Sequence, residues 1–428
     1  MTGRAGRTRG RWAERARAGW VRTERARAER VRTERVRTER VRTGRVRANR
    51  VRAGRVRAER VRAALDRAVR RRTAPGGSPV AGRRPSVVAL AMGAATRLLL
   101  RIPDRTLRRL LRRPIEVDGL LLATDMQLLL RLEQLLDRAP ADPPVALVRR
   151  DMDRSGGIIR GRVVQPVATR ELTVADRIPA RLYEPVGLPR GRGLLVYYHG
   201  GGWVIGSLDT HDNLCRLMAL RAGVRVLSVG YRVAPEAPFP AGVEDAVAAY
   251  EWAAAHAAEL GADAGLIGVG GDSAGGNLAA VVCQQAAPGA PRPAFALLIY
   301  PALDFSTRPP SRDLFADGFL LTDARMTWFE GHYLGDWTDK TDPRLSPLLA
   351  ADLSGMPPTY VVTAGFDPLR DEGEAFAKRL ADAGVPVTLR RQDTLIHGFA
   401  NLFNLSRTAR AAMDEVVVAL RDGLRPPG

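Results

Sequence analysis

Four sets of residues in this chain could together carry out acyl transfer. Ser273 stands in Gly271-Asp272-Ser273-Ala274-Gly275, between a strand-like apolar run and a small-residue helical stretch. A Ser between two glycines at such a junction sits on a tight, strained turn. Side chains at the glycines would strike the neighbouring strand and helix. Upstream lies His199-Gly200-Gly201-Gly202-Trp203, directly after another apolar run. Consecutive glycines leave backbone N–H groups uncovered and free to face an anion. The N–H of Ala274 would complete a pocket for the negative charge that develops on an attacked carbonyl oxygen. Such a Ser needs a base, and the chain has five histidines. His199 belongs to the glycine motif, His211 and His256 fall on expected helices, and His332 lies in an irregular region. His397 follows the last expected strand in a short loop, Thr394-Leu-Ile-His-Gly-Phe399. That suits the chain order Ser, acid, His of a sheet with its nucleophile on a strand-to-helix turn. The acid is Asp367, at the end of the penultimate strand, preferred to Asp371, which belongs to the first turn of the next helix.

The elements that must hold these residues read as strands and helices in alternation from about 164 onward. Strands are expected at 167–174, 179–184, 193–198, 224–230, 264–270, 294–300, 358–364 and 386–392. Helices are expected at 211–222, 240–260, 274–287, 370–384 and 406–421. Several strands are almost wholly apolar, as central parallel strands covered on both faces must be. Residues 302–352 interrupt the alternation. They are rich in Asp, Pro and aromatics (Phe305, Phe315, Phe319, Trp328, Phe329, Tyr333, Trp337). This reads as an insertion over the carboxyl edge of the sheet, where such folds place ligands. Two amphipathic helices are expected ahead of the sheet. One is opened by Pro103-Asp104 with Leu107, Leu110 and Leu111 on one face, and a Leu-rich one lies within 118–136.

Net charge is confined to one end. Residues 1–91 hold 29 Arg against 7 acidic residues, net +22, while the whole chain is +21. Residues 92–428 are therefore about −1 (+21 less +22) and offer no reason to expect nucleic acid or an anionic membrane as partner. Residues 21–65 are nine pentads of the VRTER type. Five residues advance about 140° past a full helical turn, so the valines spiral and form no face to bury. We expect 1–85 to be a disordered arginine-rich segment and linker, or to precede a true start at Met92. A basic arm for nucleic acid or lipid is the competing reading. Cys215 and Cys283 lack disulfide or metal-ligand spacing. No apolar run reaches the roughly 18–20 residues of a membrane span, and a cytoplasmic location is expected.

The glycine motif at 199–203, Tyr231-Arg-Val-Ala-Pro-Glu-Ala-Pro-Phe-Pro-Ala241, Gly271–Gly276, Asp367-Pro-Leu-Arg-Asp-Glu372 and His397-Gly-Phe399 together resemble the hormone-sensitive-lipase-like esterases, the GDSAG branch of the α/β-hydrolases. The resemblance runs from about residue 160 to the end. It implies an α/β-hydrolase fold with an eight-stranded, mostly parallel sheet over 161–425. Its cap would come from N-terminal helices within 86–160 and the insertion at about 302–352. It implies hydrolysis of short- to medium-chain carboxylic esters, a small-molecule substrate and no cofactor or metal. Ser273 would be nucleophile, His397 base then acid, and Asp367 the orienting acid. Gly201, Gly202 and Ala274 would be the oxyanion donors, supported by His199, Gly200, Gly271, Asp272 and Gly275. Trp203 and Trp328 are candidate walls of the substrate pocket. The alternatives are acyl transfer to an acceptor other than water and a non-catalytic ligand binder on the same fold. A homo-oligomer is left open.

Overall fold

The computed structural model describes residues 102–426 except 112, 137–141, 160 and 286–290, together with 96 and 100. The pentads, the linker at 74–86 and Met92 lie outside the described residues.

Helix α1 (Asp104–Leu111) begins after Pro103, whose missing N–H costs nothing at a helix start, where the first amides have no intrahelical acceptor. It buries Leu107 and Leu111, but Leu110 of the expected apolar face points to solvent, 62% exposed. A small hairpin follows, β1 (Glu116–Val117) and β2 (Leu120–Leu121). Its turn is Asp118-Gly119, with φ of 56° and 72°, the left-handed pair that a two-residue hairpin requires. The Leu-rich helix expected within 118–136 accordingly starts later, as α2 (Thr124–Leu136). Helix α3 (Val145–Ile159) was not anticipated. Its Ser155-Gly156-Gly157 is a poor helical sequence, each Gly costing about 1 kcal/mol relative to Ala.

The sheet is formed by β3 (Val167–Val174), β4 (Ile178–Pro185), β5 (Arg192–Tyr198), β6 (Arg225–Val229), β7 (Ala262–Asp272), β8 (Ala296–Ile299), β9 (Thr359–Phe366) and β10 (Val387–Ile396). All eight expected strands are present. Their order is β10-β9-β8-β7-β5-β6-β4-β3. Only β4 runs against the others, pairing antiparallel with both β3 and β6. Every other pairing is parallel.

Between the strands lie α4 (Asp212–Ala222), α5 (Ala241–Ala255), α6 (Ala274–Gln285), α7 (Pro310–Leu314), α8 (Asp323–Leu334) and α9 (Arg370–Asp382), and α10 (Arg407–Gly423) follows the last strand. Alternate residues of β5 feed opposite cores. Leu194, Val196 and Tyr198 pack with α5, α6 and α9. Leu195 and Tyr197 pack with α4, α10, α1 and α2. This is the α/β-hydrolase fold: a mostly parallel eight-stranded sheet with helices on both faces.

The insertion between β8 and β9 is pinned to the sheet at several points. Asn277 Nδ2, one helical turn past Ser273, donates to Ala302 O and Leu345 O, both at 2.9 Å. Glu372 Oε1 accepts from Leu303 N at 2.6 Å. Ser311 Oγ donates to Pro368 O at 2.7 Å. The N-terminal elements are tied down as well. Asp125 of α2 accepts from Ser406 Oγ at 2.6 Å, at the start of α10. Arg149 of α3 donates to Val204 O and Ala234 O and pairs with Glu236.

Candidate active site

Ser273 occupies the turn from β7 to α6 with φ 56°, in the left-handed region, where a non-glycine residue is strained. Its neighbours leave no alternative packing. A Cβ on Gly275 would stand 1.9 Å from Tyr198 O, and one on Gly271 2.3 Å from the carbonyl carbon of Gly275. Strand and helix therefore close on backbone alone. Ser273 N donates to Ile299 O at 2.9 Å, fixing the turn against β8.

Ser273 Oγ lies 3.0 Å from His397 Nε2, and His397 Nδ1 lies 2.8 Å from Asp367 Oδ2. Asp367 follows β9 and is fully buried. Its Oδ1 accepts from Leu369 N at 2.9 Å. With Nδ1–H donated to the carboxylate, Nε2 is left as the acceptor for a serine hydroxyl. Asp371, the alternative acid, is engaged elsewhere, accepting from Ser311 N at 2.8 Å and Arg370 Nε at 2.9 Å. The fold thus joins three residues from the ends of β7, β9 and β10 in one hydrogen-bonded series.

The glycine motif follows β5. Gly201 has φ 125° and Gly202 φ 59°. The N–H groups of Val204 and Ile205 donate to Gly201 O at 3.1 and 2.9 Å, folding the loop back on itself. The N–H of Gly200 is occupied by Asp272 Oδ1 at 3.0 Å. Among the described residues, no acceptor engages the N–H of Gly201, Gly202 or Ala274. Those amides are the ones left to face an anion.

Beneath the loop, Asp272 also accepts from Tyr197 OH at 2.6 Å. Burial raises its carboxyl pKa, but His211 and the donors Tyr197 and Gly200 outweigh that and hold it at about 2. His199 stacks on Tyr231, ring centroids 4.4 Å apart. Burial, with His211 nearby, pushes its pKa down to about 4, so it is neutral at pH 7. Its Nδ1 lies 2.9 Å from Gly200 O.

Trp203, a candidate pocket wall, is 5% exposed and stacks flat on Tyr333 at 4.4 Å. The indole packs between the glycine loop and the insertion and shows little surface. Trp328 is half-buried, edge-on to Phe329 and His332. Phe329 lies directly on the glycine loop, its ring 2.3 Å from where a Gly202 Cβ would stand. Trp203 Nε1, Trp328 Nε1 and Tyr333 OH are buried with no hydrogen-bond partner among the described residues. His256, set aside in the sequence, stacks on Trp252. His211, also set aside, touches Asp272. Like Phe329 it had no local motif to mark it. Among the described residues no group of three or more His, Cys, Asp or Glu could hold a metal ion. No helix there is long and apolar enough to cross a membrane.

A strand-to-helix serine turn, a glycine loop after β5 and an acid and histidine after β9 and β10 define the hydrolase arrangement on this fold. Comparison with known proteins agrees. A family model described as the alpha/beta hydrolase fold matches residues 195–401. Carboxylic ester hydrolase LipN of Mycobacterium tuberculosis is 47% identical over 321 residues, covering 72% of this chain and 85% of that protein. An ethyl acetate hydrolase of Pseudomonas putida is 39% identical over 286 residues, covering 64% and 89%. The solved structure of an ester hydrolase from the metagenome of Lake Arreo is 42% identical with a TM-score of 0.66, covering 70% of this chain and 98% of that one. The chain belongs to the α/β-hydrolase family, among its hormone-sensitive-lipase-like carboxylic ester hydrolases.

Proposed function

We propose that the chain is a serine carboxylesterase that hydrolyses short- to medium-chain acyl esters through an acyl-enzyme intermediate. Ser273 Oγ attacks the ester carbonyl while His397 Nε2 takes its proton. Asp367 holds the imidazole with Nδ1–H toward itself and stabilises the imidazolium that forms. The N–H groups of Gly201, Gly202 and Ala274 receive the oxyanion, each such donor contributing about 3–4 kcal/mol to the transition state. The C–O bond to the alcohol breaks, and the alkoxide leaves with the proton from His397. Water then repeats the sequence on the acyl-serine and releases the acid. Only the neutral imidazole can accept the serine proton. The N-terminal helices within 86–160 and the insertion at 302–352 form the cap over the catalytic domain at 161–425. Trp328 and Phe329 stand at the boundary between the cap and the oxyanion loop.

The observation that carries this reading is the unbroken series Asp367–His397–Ser273, with bonds of 2.8 and 3.0 Å. The relatives' names support ester cleavage, and the ethyl acetate hydrolase supports a short acyl group. The test is turnover of p-nitrophenyl acetate and butyrate by Ser273→Ala. A loss of about four orders of magnitude or more in kcat is expected, with the fold intact by circular dichroism. Turnover near the wild-type rate would overturn the assignment.

A further inference from the structure

Below the glycine loop lies a buried group of side chains for which the hydrolytic steps have no use. His211, the residue before α4, is 1% exposed. Its Nε2 stands 3.3 Å from Asp272 Oδ1 and 3.4 Å from Oδ2. The side-chain amide of Asn401 approaches the same nitrogen, with Nδ2 at 3.1 Å. An N–H that faces a carboxylate cannot also accept from an amide. The Asn401 amide is therefore satisfied with Oδ1 turned to the ring. On the other side, His211 Nδ1 lies 2.8 Å from Thr210 Oγ1. Thr210 is itself held by Ser207: its Oγ1 accepts from Ser207 N at 2.9 Å and lies 2.8 Å from Ser207 O, its one hydroxyl hydrogen being shared between that carbonyl and the ring. The imidazole is thus fixed from both edges, between segments that are 61 and 190 residues away in the chain.

Those segments carry the working parts of the site. Asp272 immediately precedes Ser273, and its Oδ1 holds the N–H of Gly200, the residue before the oxyanion glycines. The contact is close: a Cβ on Gly200 would stand 2.5 Å from Asp272 Oδ2. Asn401 lies in the single 3-10 turn Phe399–Leu402 that follows His397. Tyr300 closes the circuit, its OH 3.5 Å from Asp272 Oδ2 and its ring 4.6 Å from the His397 ring. Tyr197 OH and the ring of His199, 5.6 Å from His211, fill the remaining sides.

We propose that His211 is a positioning residue, the joint that sets the glycine loop, the serine turn and the His397 loop in register with one another. Its ring acts through Asp272 on Gly200 and through Asn401 on the loop bearing His397. The Gly201 and Gly202 amides come from one of these parts and the Ala274 amide from another, so their convergence on one oxygen depends on this joint. The low pKa of Asp272 fits the same picture, since each donor that lowers it is a member of the joint. The inference rests on the triad and oxyanion reading given above.

The test uses the full chain and compares His211→Phe, His211→Gln and Asp272→Asn for kcat and KM on p-nitrophenyl butyrate, with Tm measured alongside. His211→Phe keeps a ring but loses both nitrogens. It is expected to lower kcat by about tenfold to a hundredfold with KM within about twofold. His211→Gln, which can still donate to Asp272, is expected to recover most of that kcat. A folded His211→Phe enzyme with wild-type kcat, or a Gln variant as slow as Phe, would overturn the proposal. If His211→Phe does not fold, Asp272→Asn carries the test, with at least a tenfold fall in kcat expected and a wild-type kcat contradicting it. Ser273→Ala, run in parallel, separates the two readings. If it turns over substrate, the triad assignment falls. If it is inactive while His211→Phe is unimpaired, only the joint falls.

Discussion

The floor of the site and the insertion above it are built on opposite principles. The floor consists of the loops after β5 and β7, and it is closed by backbone. Gly200, Gly271 and Gly275 stand where any side chain would overlap a neighbour. The buried carboxylate of Asp272 is met by Tyr197 and Gly200 of β5 and its loop, by His211 and by Tyr300 after β8. The insertion between β8 and β9 is held at its base by side-chain hydrogen bonds from Asn277, Glu372 and Ser311, and elsewhere by aromatic stacking and ion pairs. Trp203, Phe305 and Tyr333 form one aromatic group, and Arg312 joins Asp323 and Glu330 on the helix above. Buried donors are left without partners there, Trp328 Nε1 and Tyr333 OH, and at the seam with the glycine loop, Trp203 Nε1. A region proposed to bring three amides to one oxygen and a hydroxyl to the carbon that bears it has no tolerance for volume. A region that only shapes the space above it can tolerate unfilled polar capacity and substitution.

Paired glycine substitutions break this contrast most sharply. Gly275→Ala is expected to cost several kcal/mol and abolish activity, because its Cβ meets the Tyr198 carbonyl at 1.9 Å. Gly331→Ala, inside α8 of the insertion, meets nothing within 4 Å. It is expected to raise stability by up to about 1 kcal/mol with kcat unchanged. Thermal denaturation and a p-nitrophenyl butyrate assay read both, and equal losses would remove the distinction.

Acid should loosen the floor before the insertion. The folded pKa of His199, about 4, lies below its ordinary 6.5. The unfolded chain therefore takes up a proton first. The stability due to neutral His199 is complete above pH 6.5 and is lost as pH falls toward 4, on the order of 3 kcal/mol in all. Asp272, depressed to about 2, contributes stability that is complete above its ordinary 3.8 and is lost only as pH falls toward 2. A Tm-versus-pH series should show the first loss, and His199→Gln should flatten it. An unchanged slope would show that His199 is not the group responsible.

The smallest effect belongs to the aromatic cap. Trp328→Ala should leave Tm within a few degrees and shift the ratio of butyrate to octanoate turnover several-fold, as expected of a pocket wall. A profile identical to wild type would make Trp328 packing alone.

What was legible in the sequence follows the same division. The strands lie within a few residues of where apolar runs placed them, because a strand covered on both faces has little freedom in composition. Ser273, Asp367 and His397 could be singled out because each stands at a strand end beside glycine or proline. Helix α3 was not legible, because Gly156-Gly157 argues locally against a helix. Nor was the Asp118-Gly119 hairpin, hidden in a run of leucines. His211 was set aside as a helix-start histidine, since its partners Asp272 and Asn401 come near it only in the folded chain. Phe329 was one aromatic among seven in the insertion, and only its approach to Gly202 distinguishes it.

Covalent labelling would show whether Ser273 is the acyl-accepting nucleophile proposed above. The full chain would be incubated with a p-nitrophenyl alkylphosphonate, whose tetrahedral phosphorus mimics the oxyanion intermediate, then digested and mapped by mass spectrometry. The account predicts one adduct, on the peptide containing Gly271–Gly275, forming in step with loss of esterase activity and absent from Ser273→Ala. Complete inactivation with the adduct on another residue, or equal labelling of Ser273→Ala, would contradict it.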